Sequence, residues 1–163
     1  MLFFTDGVDL FKKSKLSLWP LYLVSTDLNY SERYKLDNII IVGIYYGKDT
    51  PPMQKILELA FFPFLVNNTL KYNGLDLNIK YIIADKPARA KVLNMQSHNS
   101  KNFCPLCLKE TAIATINGKK HIYVPNDPHT TALPRNNFGY SAVAYCAKST
   151  SQPDNGVKGH CFF

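Results

Sequence analysis

Long apolar runs are missing from this sequence. The nearest approach, residues 56–66, is interrupted by Glu58 and Pro63 and is too short to cross a bilayer as a helix. Cysteine is scarce as well. Two of the four cysteines form one Cys-x-x-Cys pair and the others are scattered. That excludes a disulfide framework and fits a reducing compartment, nuclear or cytoplasmic. The opening Met1-Leu2-Phe3-Phe4 lacks a basic region and runs straight into Asp6, so it does not read as a secretory signal. No run of like charge is long enough to be a tail, and no internal repeat is visible.

What is present suits one domain with an ordinary core. Hydrophobic residues make up 46% and aromatics 13% of 163 residues, too many for a disordered chain. Lysine and arginine exceed acids by 19 to 12, a net charge of +7. This moderate excess favours nucleic acid or another polyanion as partner, although many proteins that bind neither are this basic.

Residues 2–5 read as a strand. Residues 18–25, LWPLYLVS, read as a second, with Pro20 pointing to an edge or a bulge. Residues 38–46, NIIIVGIYY, are β-branched and nearly continuous, which predicts a central strand buried on both faces. Asp49 or Thr50 can cap a helix over residues 52–72, kinked or split at Pro63 and stopped by Asn73-Gly74. Residues 77–84 predict a fourth strand and residues 87–96 a helix with Pro87 in its first turn. The order is strand, strand, strand, helix, strand, helix. A meander followed by a helical crossover places the fourth strand parallel to the first. Beyond residue 96 the pattern weakens to a loop around the cysteine pair. A hairpin over residues 112–124 turns at Asn117-Gly118, and a short strand over residues 141–146 is expected in an otherwise poorly ordered tail.

Asp6 ends the first strand and Asp85 the fourth, so both acids should emerge at one edge of the sheet. Two carboxylates side by side repel each other, and a divalent cation removes the conflict. The pair is therefore a candidate hard-oxygen site for Mg²⁺ or Mn²⁺, able to act on a phosphodiester. The plainer alternative is a turn at Asp6-Gly7 and a helix cap at Asp85. Lys86, Arg89 and Lys91 follow the second acid and can hold a nucleic-acid phosphate, or form a solvated helix face. Lys12, Lys13 and Lys15 carry the same two readings. Cys104-Pro105-Leu106-Cys107 can present two thiolates to Zn²⁺. His121 and His129 are candidates for the further ligands, and Cys146, His160 and Cys161 are also in reach; the spacing does not choose among them. A redox role needs a thioredoxin-like context, which the sequence lacks, and idle thiols are the bland alternative.

The segments TDGVDLFKKSKLSLWPLYLV, NIIIVGIYYGKDTPPM, IIADKPARAKVLNM, FCPLCL, HIYVP and NGVKG, in that order, resemble the catalytic region of CACTA-type (En/Spm-like) transposases and of transposase-domain proteins derived from them. The resemblance runs from the first residues to about Gly159. It implies an RNase H-like fold and an acidic triad that binds Mg²⁺ or Mn²⁺ for DDE-type DNA cleavage and strand transfer. Asp6 matches the first acid and Asp85 the second. Cys104 and Cys107 match an inserted cysteine pair.

The departures from that family also set expectations. Glu110 lies in the cysteine-pair loop, and Asp127 and Asp154 lie in segments rich in Pro and Asn, so none is a credible third acid. The family continues past NGVKG, whereas this chain stops at GHCFF. The expectation is an α/β chain with a truncated RNase H-like core at residues 1–96, a zinc-knuckle-like insertion at 97–135 and a tail at 136–163. It should be transposase-derived, with an incomplete metal site and little activity alone. A non-catalytic nucleic-acid- or protein-binding remnant, or a decayed gene fragment, is the alternative. DNA is the expected partner, with homo-oligomerisation or missing transposase segments to complete it.

Overall fold

The computed structural model describes residues 1–9, 16–48, 51–67, 69–97, 99–123 and 133–163. The chain forms two compact units, Met1–Arg89 and Ala90–Phe163. Its architecture is mixed α/β with several sheets.

The first unit is built on one sheet. Strand β1 (Leu2–Thr5) runs antiparallel to a later strand, β3 (Ser17–Val24), from Leu2 opposite Val24 to Thr5 opposite Leu21. The two-residue β2 (Val8–Asp9) continues β1 in the same register, with Val8 opposite Leu18. The ladder breaks only at Asp6-Gly7. That register sets Asp6 opposite Pro20, a residue with no N–H to donate. It sets Gly7 opposite Trp19, whose buried indole lies where a side chain would go. A Cβ on Gly7 would come within 2.5 Å of Trp19 Cε2. Gly7→Ala should therefore cost about 1–3 kcal/mol through displacement of the indole. Urea unfolding followed by Trp19 fluorescence checks this, and a midpoint equal to wild type would refute it.

After the short helix α1 (Tyr30–Arg33) comes β4 (Ile39–Gly47), antiparallel to β3. The register shifts between Leu21 and Tyr22, so that Gly43 and Ile41 face them and Val42 is the extra residue. Two expectations are corrected here. Strand β3 is not an edge, since β4 lies on one side and β1 and β2 on the other; of the two readings of Pro20 it is the bulge that has a counterpart, in the register shift just beyond it. Among the described residues β4 pairs only with β3, and its Ile41, Ile44 and Tyr46 are each more than half exposed, so β4 is neither central nor buried on both faces there.

Helix α2 (Met53–Phe61) covers one face of the sheet. Met53, Leu57 and Phe61 recur every four residues and are buried with Phe3, Leu21 and Leu23. Phe3 and Phe61 meet with ring centroids 5.7 Å apart. On the opposite face the cross-strand pair Phe4 and Tyr22 stacks at 5.0 Å, and Tyr34 meets Phe4 edge-on. The helix stops at Phe61, not at residue 72. Pro63 sits in a single 3₁₀ turn, Phe62–Phe64. Beyond it β5 (Leu65–Val66), β6 (Thr69–Tyr72) and β7 (Leu75–Asp76) form a small meander. Asn73-Gly74 is its hairpin turn, with φ of 50° and 80°, rather than a helix stop. The expected caps Asp49 and Thr50 lie outside the described residues.

Strand β8 (Tyr81–Ile83) then lies parallel to β1, with Leu2 opposite Tyr81 and Phe4 opposite Ile83. The sheet order is β4-β3-β1-β8. Helix α3 (Lys86–Val92) follows, with Pro87 in its first turn.

The second unit contains the hairpin β9 (Ala112–Ile116) and β10 (Lys119–Tyr123), turning at Asn117-Gly118 as expected. Its last part is a helix, α4 (Asn137–Thr150), where a short strand at residues 141–146 and a poorly ordered tail were expected. Asn136 caps it by accepting a hydrogen bond from the Gly139 N–H at 2.7 Å, and Ala144 and Ala147 are buried. Tyr140 Oη donates to the Leu93 carbonyl at 2.6 Å. The segment NGVKG closes the unit. The Gln96 N–H bonds Gly156 O, Lys158 N–H bonds Asn94 O, and Val157 is fully buried.

Candidate functional site

Strands β1 and β8 end together. Phe4 pairs with Ile83, and two residues further along each chain stand Asp6 and Asp85. Parallel neighbours lie about 4.8 Å apart. The two acids thus emerge at the same rim of the sheet, and both are exposed. Each also has a local role. Asp6 Oδ1 accepts from the Gly7 N–H at 2.8 Å, and Asp85 Oδ1 accepts from the Ala88 N–H at 2.7 Å, capping α3. The turn and cap readings of these residues are therefore both observed. They do not exhaust a carboxylate, whose two oxygens offer about four lone-pair sites.

The basic residues follow on α3. Lys86 is exposed and Arg89 half-buried, with its N–H bonded to Asp85 O at 2.8 Å. Lys91 is half-buried, while Ala88 and Val92 are fully buried. Asp9 is exposed on β2. Lys12, Lys13, Lys15, Asp127 and His129 lie outside the described residues. Glu110 is ion-paired with Lys101 at 2.6 Å, and Asp154 is held in a tight turn with Val157.

In the second unit the cysteine pair forms a closed knuckle. Cys107 Sγ donates to Cys104 Sγ at 3.3 Å, and both residues are half-buried. The knuckle is clasped by an extended segment. Cys107 bridges to Pro134, the Leu108 N–H bonds Leu133 O, and the Arg135 N–H bonds Leu106 O. The Arg135 Nε donates to Cys104 O at 2.8 Å, and its Nη2 donates to Asn155 O. Burial opposes ionisation of Cys104. The Leu106 N–H, the Cys107 thiol and N–H and the Arg135 charge outweigh it and leave that thiol below its ordinary value. His121 is exposed on β10, opposite Ala114. Among the described residues no three His, Cys, Asp or Glu side chains gather closely enough to share an ion. His121 is thus not assembled with Cys104 and Cys107, nor is a third carboxylate assembled with Asp6 and Asp85. Arg135 escaped the sequence reading. Nothing in its neighbourhood marks it, since the cysteine it serves lies 31 positions earlier.

Residues 1–144 match one family, described as protein of unknown function (DUF1258). The chain belongs to that family. The match takes in both acids, the basic helix and the cysteine pair. No curated protein and no solved structure matches the chain. Among the described residues no helix is long and apolar enough to cross a membrane.

Proposed function

We propose that this chain is a transposase-derived DNA-binding protein, with ancestry in the DDE-type enzymes. In this reading Asp6 and Asp85 hold a divalent cation at the sheet rim, with Lys86 and Arg89 beside a DNA phosphate. The observation that carries the reading is the parallel pairing of β1 with β8, which sets the two acids at one rim from positions far apart in sequence. The order β1, β3, β4, α2, β8, α3 also agrees with the RNase H-like core that the motifs resemble. The fit to a cation is partial. Two exposed carboxylates suit one hard ion that keeps much of its water shell. Mg²⁺ or Mn²⁺ there would supply charge to draw in and polarise a phosphate oxygen. Strand transfer by two ions needs more ligands than this pair, so the reading assigns binding rather than turnover to this chain.

Mn²⁺ titration monitored by electron paramagnetic resonance tests it. Asp6→Asn and Asp85→Asn should each weaken binding by about ten-fold or more. Asn caps helices as well as Asp does, so Asp85→Asn keeps α3 intact and isolates the loss of charge. Wild-type affinity in either variant would remove the shared-ion site. Lys86→Ala should reduce the salt dependence of DNA binding by about one counterion. A second reading is a nucleic-acid-binding remnant with no metal site. It is favoured by the cap and turn bonds that already engage both acids. Salt-dependent DNA binding indifferent to Mn²⁺ and to both Asn substitutions would select it.

A further inference from the structure

We propose that Cys104 and Cys107 are a dithiol–disulfide pair that exchanges with small-molecule disulfides, with Cys104 as the attacking thiolate and Arg135 as its positioning residue. The inference concerns a different unit from the acid pair and goes beyond the DNA-binding reading. Its basis is geometry. The two sulfurs already touch at 3.3 Å. A tetrahedral zinc would hold them about 3.8 Å apart, since each Zn–S bond is about 2.3 Å. A disulfide needs an approach to about 2.05 Å, a movement that two side chains on a Cys-x-x-Cys turn can make. The Leu106 and Cys107 N–H groups, the Cys107 thiol and the Arg135 charge favour the thiolate form of Cys104 against the burial that opposes it. The thioredoxin-like surroundings that the sequence lacks are replaced by the clasp of Leu133–Arg135. That clasp brings a guanidinium, rather than a histidine or acid, onto the Cys104 carbonyl, where its charge acts on both thiols.

The chemistry closes with a small disulfide, R–S–S–R, as oxidant. The Cys104 thiolate attacks one sulfur, the S–S bond breaks, and one RS⁻ leaves. This gives a mixed disulfide on Cys104. The Cys107 thiolate then attacks Cys104 Sγ and expels the second RS⁻. Two protein thiols lose two electrons and two protons; one small disulfide gains them and becomes two thiols. Half-burial of both cysteines, with Leu106 largely exposed at the tip, leaves the sulfurs open to a reagent of that size.

The test uses the full chain in chelator-treated buffer at graded ratios of reduced to oxidised glutathione. Acid quenching, N-ethylmaleimide labelling and peptide mass spectrometry read the four cysteines separately. Cys104 and Cys107 should lose labelling together, as one linked peptide that dithiothreitol reverses, while Cys146 stays labelled. Cys107→Ser should trap glutathione on Cys104. Arg135→Gln should slow labelling of Cys104 by about three-fold, because the positive charge that favours the thiolate is lost while the remaining thiolate becomes more nucleophilic. Arg135→Lys, which keeps the charge, should lose less. Full labelling of both cysteines at every ratio would overturn the proposal. So would linkage of either one to Cys161. Zinc bound stoichiometrically by both thiols in the purified protein, blocking oxidation until it is removed, would also overturn it.

Discussion

Gly156→Ala should destabilise the Ala90–Phe163 unit by about 3 kcal/mol or more, from left-handed backbone strain plus overpacking. Gly156 has φ of +82°, a region that costs any residue with a Cβ. Space is the larger problem. An added Cβ would overlap the carbonyl of Asn102 and lie 2.8 Å from its carbon. Backbone cannot rotate aside as a long side chain can. The Gly156 carbonyl also accepts the Gln96 N–H at 2.7 Å, so any shift there pulls on the pairing that closes the unit. Gly118→Ala is the internal control. Its φ is +74°, but nothing lies within 4 Å of the added carbon. Strain alone remains, at about 1–2 kcal/mol. Hydrogen exchange at the Gln96 and Lys158 amides separates the two. Protection should collapse in Gly156→Ala and largely persist in Gly118→Ala. Equal loss in both would show that the Asn102 contact is not rigid.

The elements legible in the sequence were those whose signal is local. Asn117-Gly118 between two β-rich runs can hardly be anything but a tight hairpin, and the structure has one. The parallel neighbourhood of Asp6 and Asp85 was also legible, because a helix between two strands leaves few routes back to the sheet. What failed depended on partners. The run IIIVGIYY announces a strand but not how many neighbours it has, and among the described residues β4 has one. Leu65, Leu70 and Tyr72 can continue a helical pattern. After Pro63 the chain instead pairs with itself through Asn73-Gly74, a dipeptide that suits a hairpin turn as well as a helix stop. Ser141-Ala142-Val143-Ala144-Tyr145-Cys146 is a short apolar run of strand length, but the cap at Asn136 and the buried Ala144 and Ala147 belong to a helix. At the cysteine knuckle the pair itself was visible, whereas the arginine that serves it was not. Tertiary placement chose Arg135, and no spacing rule links it to Cys104.

Phe61→Ala should be the most damaging single truncation in the first unit, at about 3–5 kcal/mol. The stretch LAFFPF offers three phenylalanines in a row of four residues, and hydropathy cannot rank them. The structure does. Phe61 is fully buried at the last turn of α2, in ring contact with Phe3 of β1 and Phe64 of the following turn. Phe62, one residue on, is 72% exposed. Truncating Phe61 leaves a void beneath the strand that carries Asp6, and the surrounding sheet can collapse only partly into it. Phe62→Ala removes little buried area and should cost within about 0.5 kcal/mol. Trp19 is the only tryptophan and sits in the same core, so its fluorescence in urea reports this unit. Near-equal midpoints for the two variants would mean that α2 does not seal the sheet through Phe61. The shared rim of Asp6 and Asp85 would then lack the rigid floor that a two-carboxylate cation site requires.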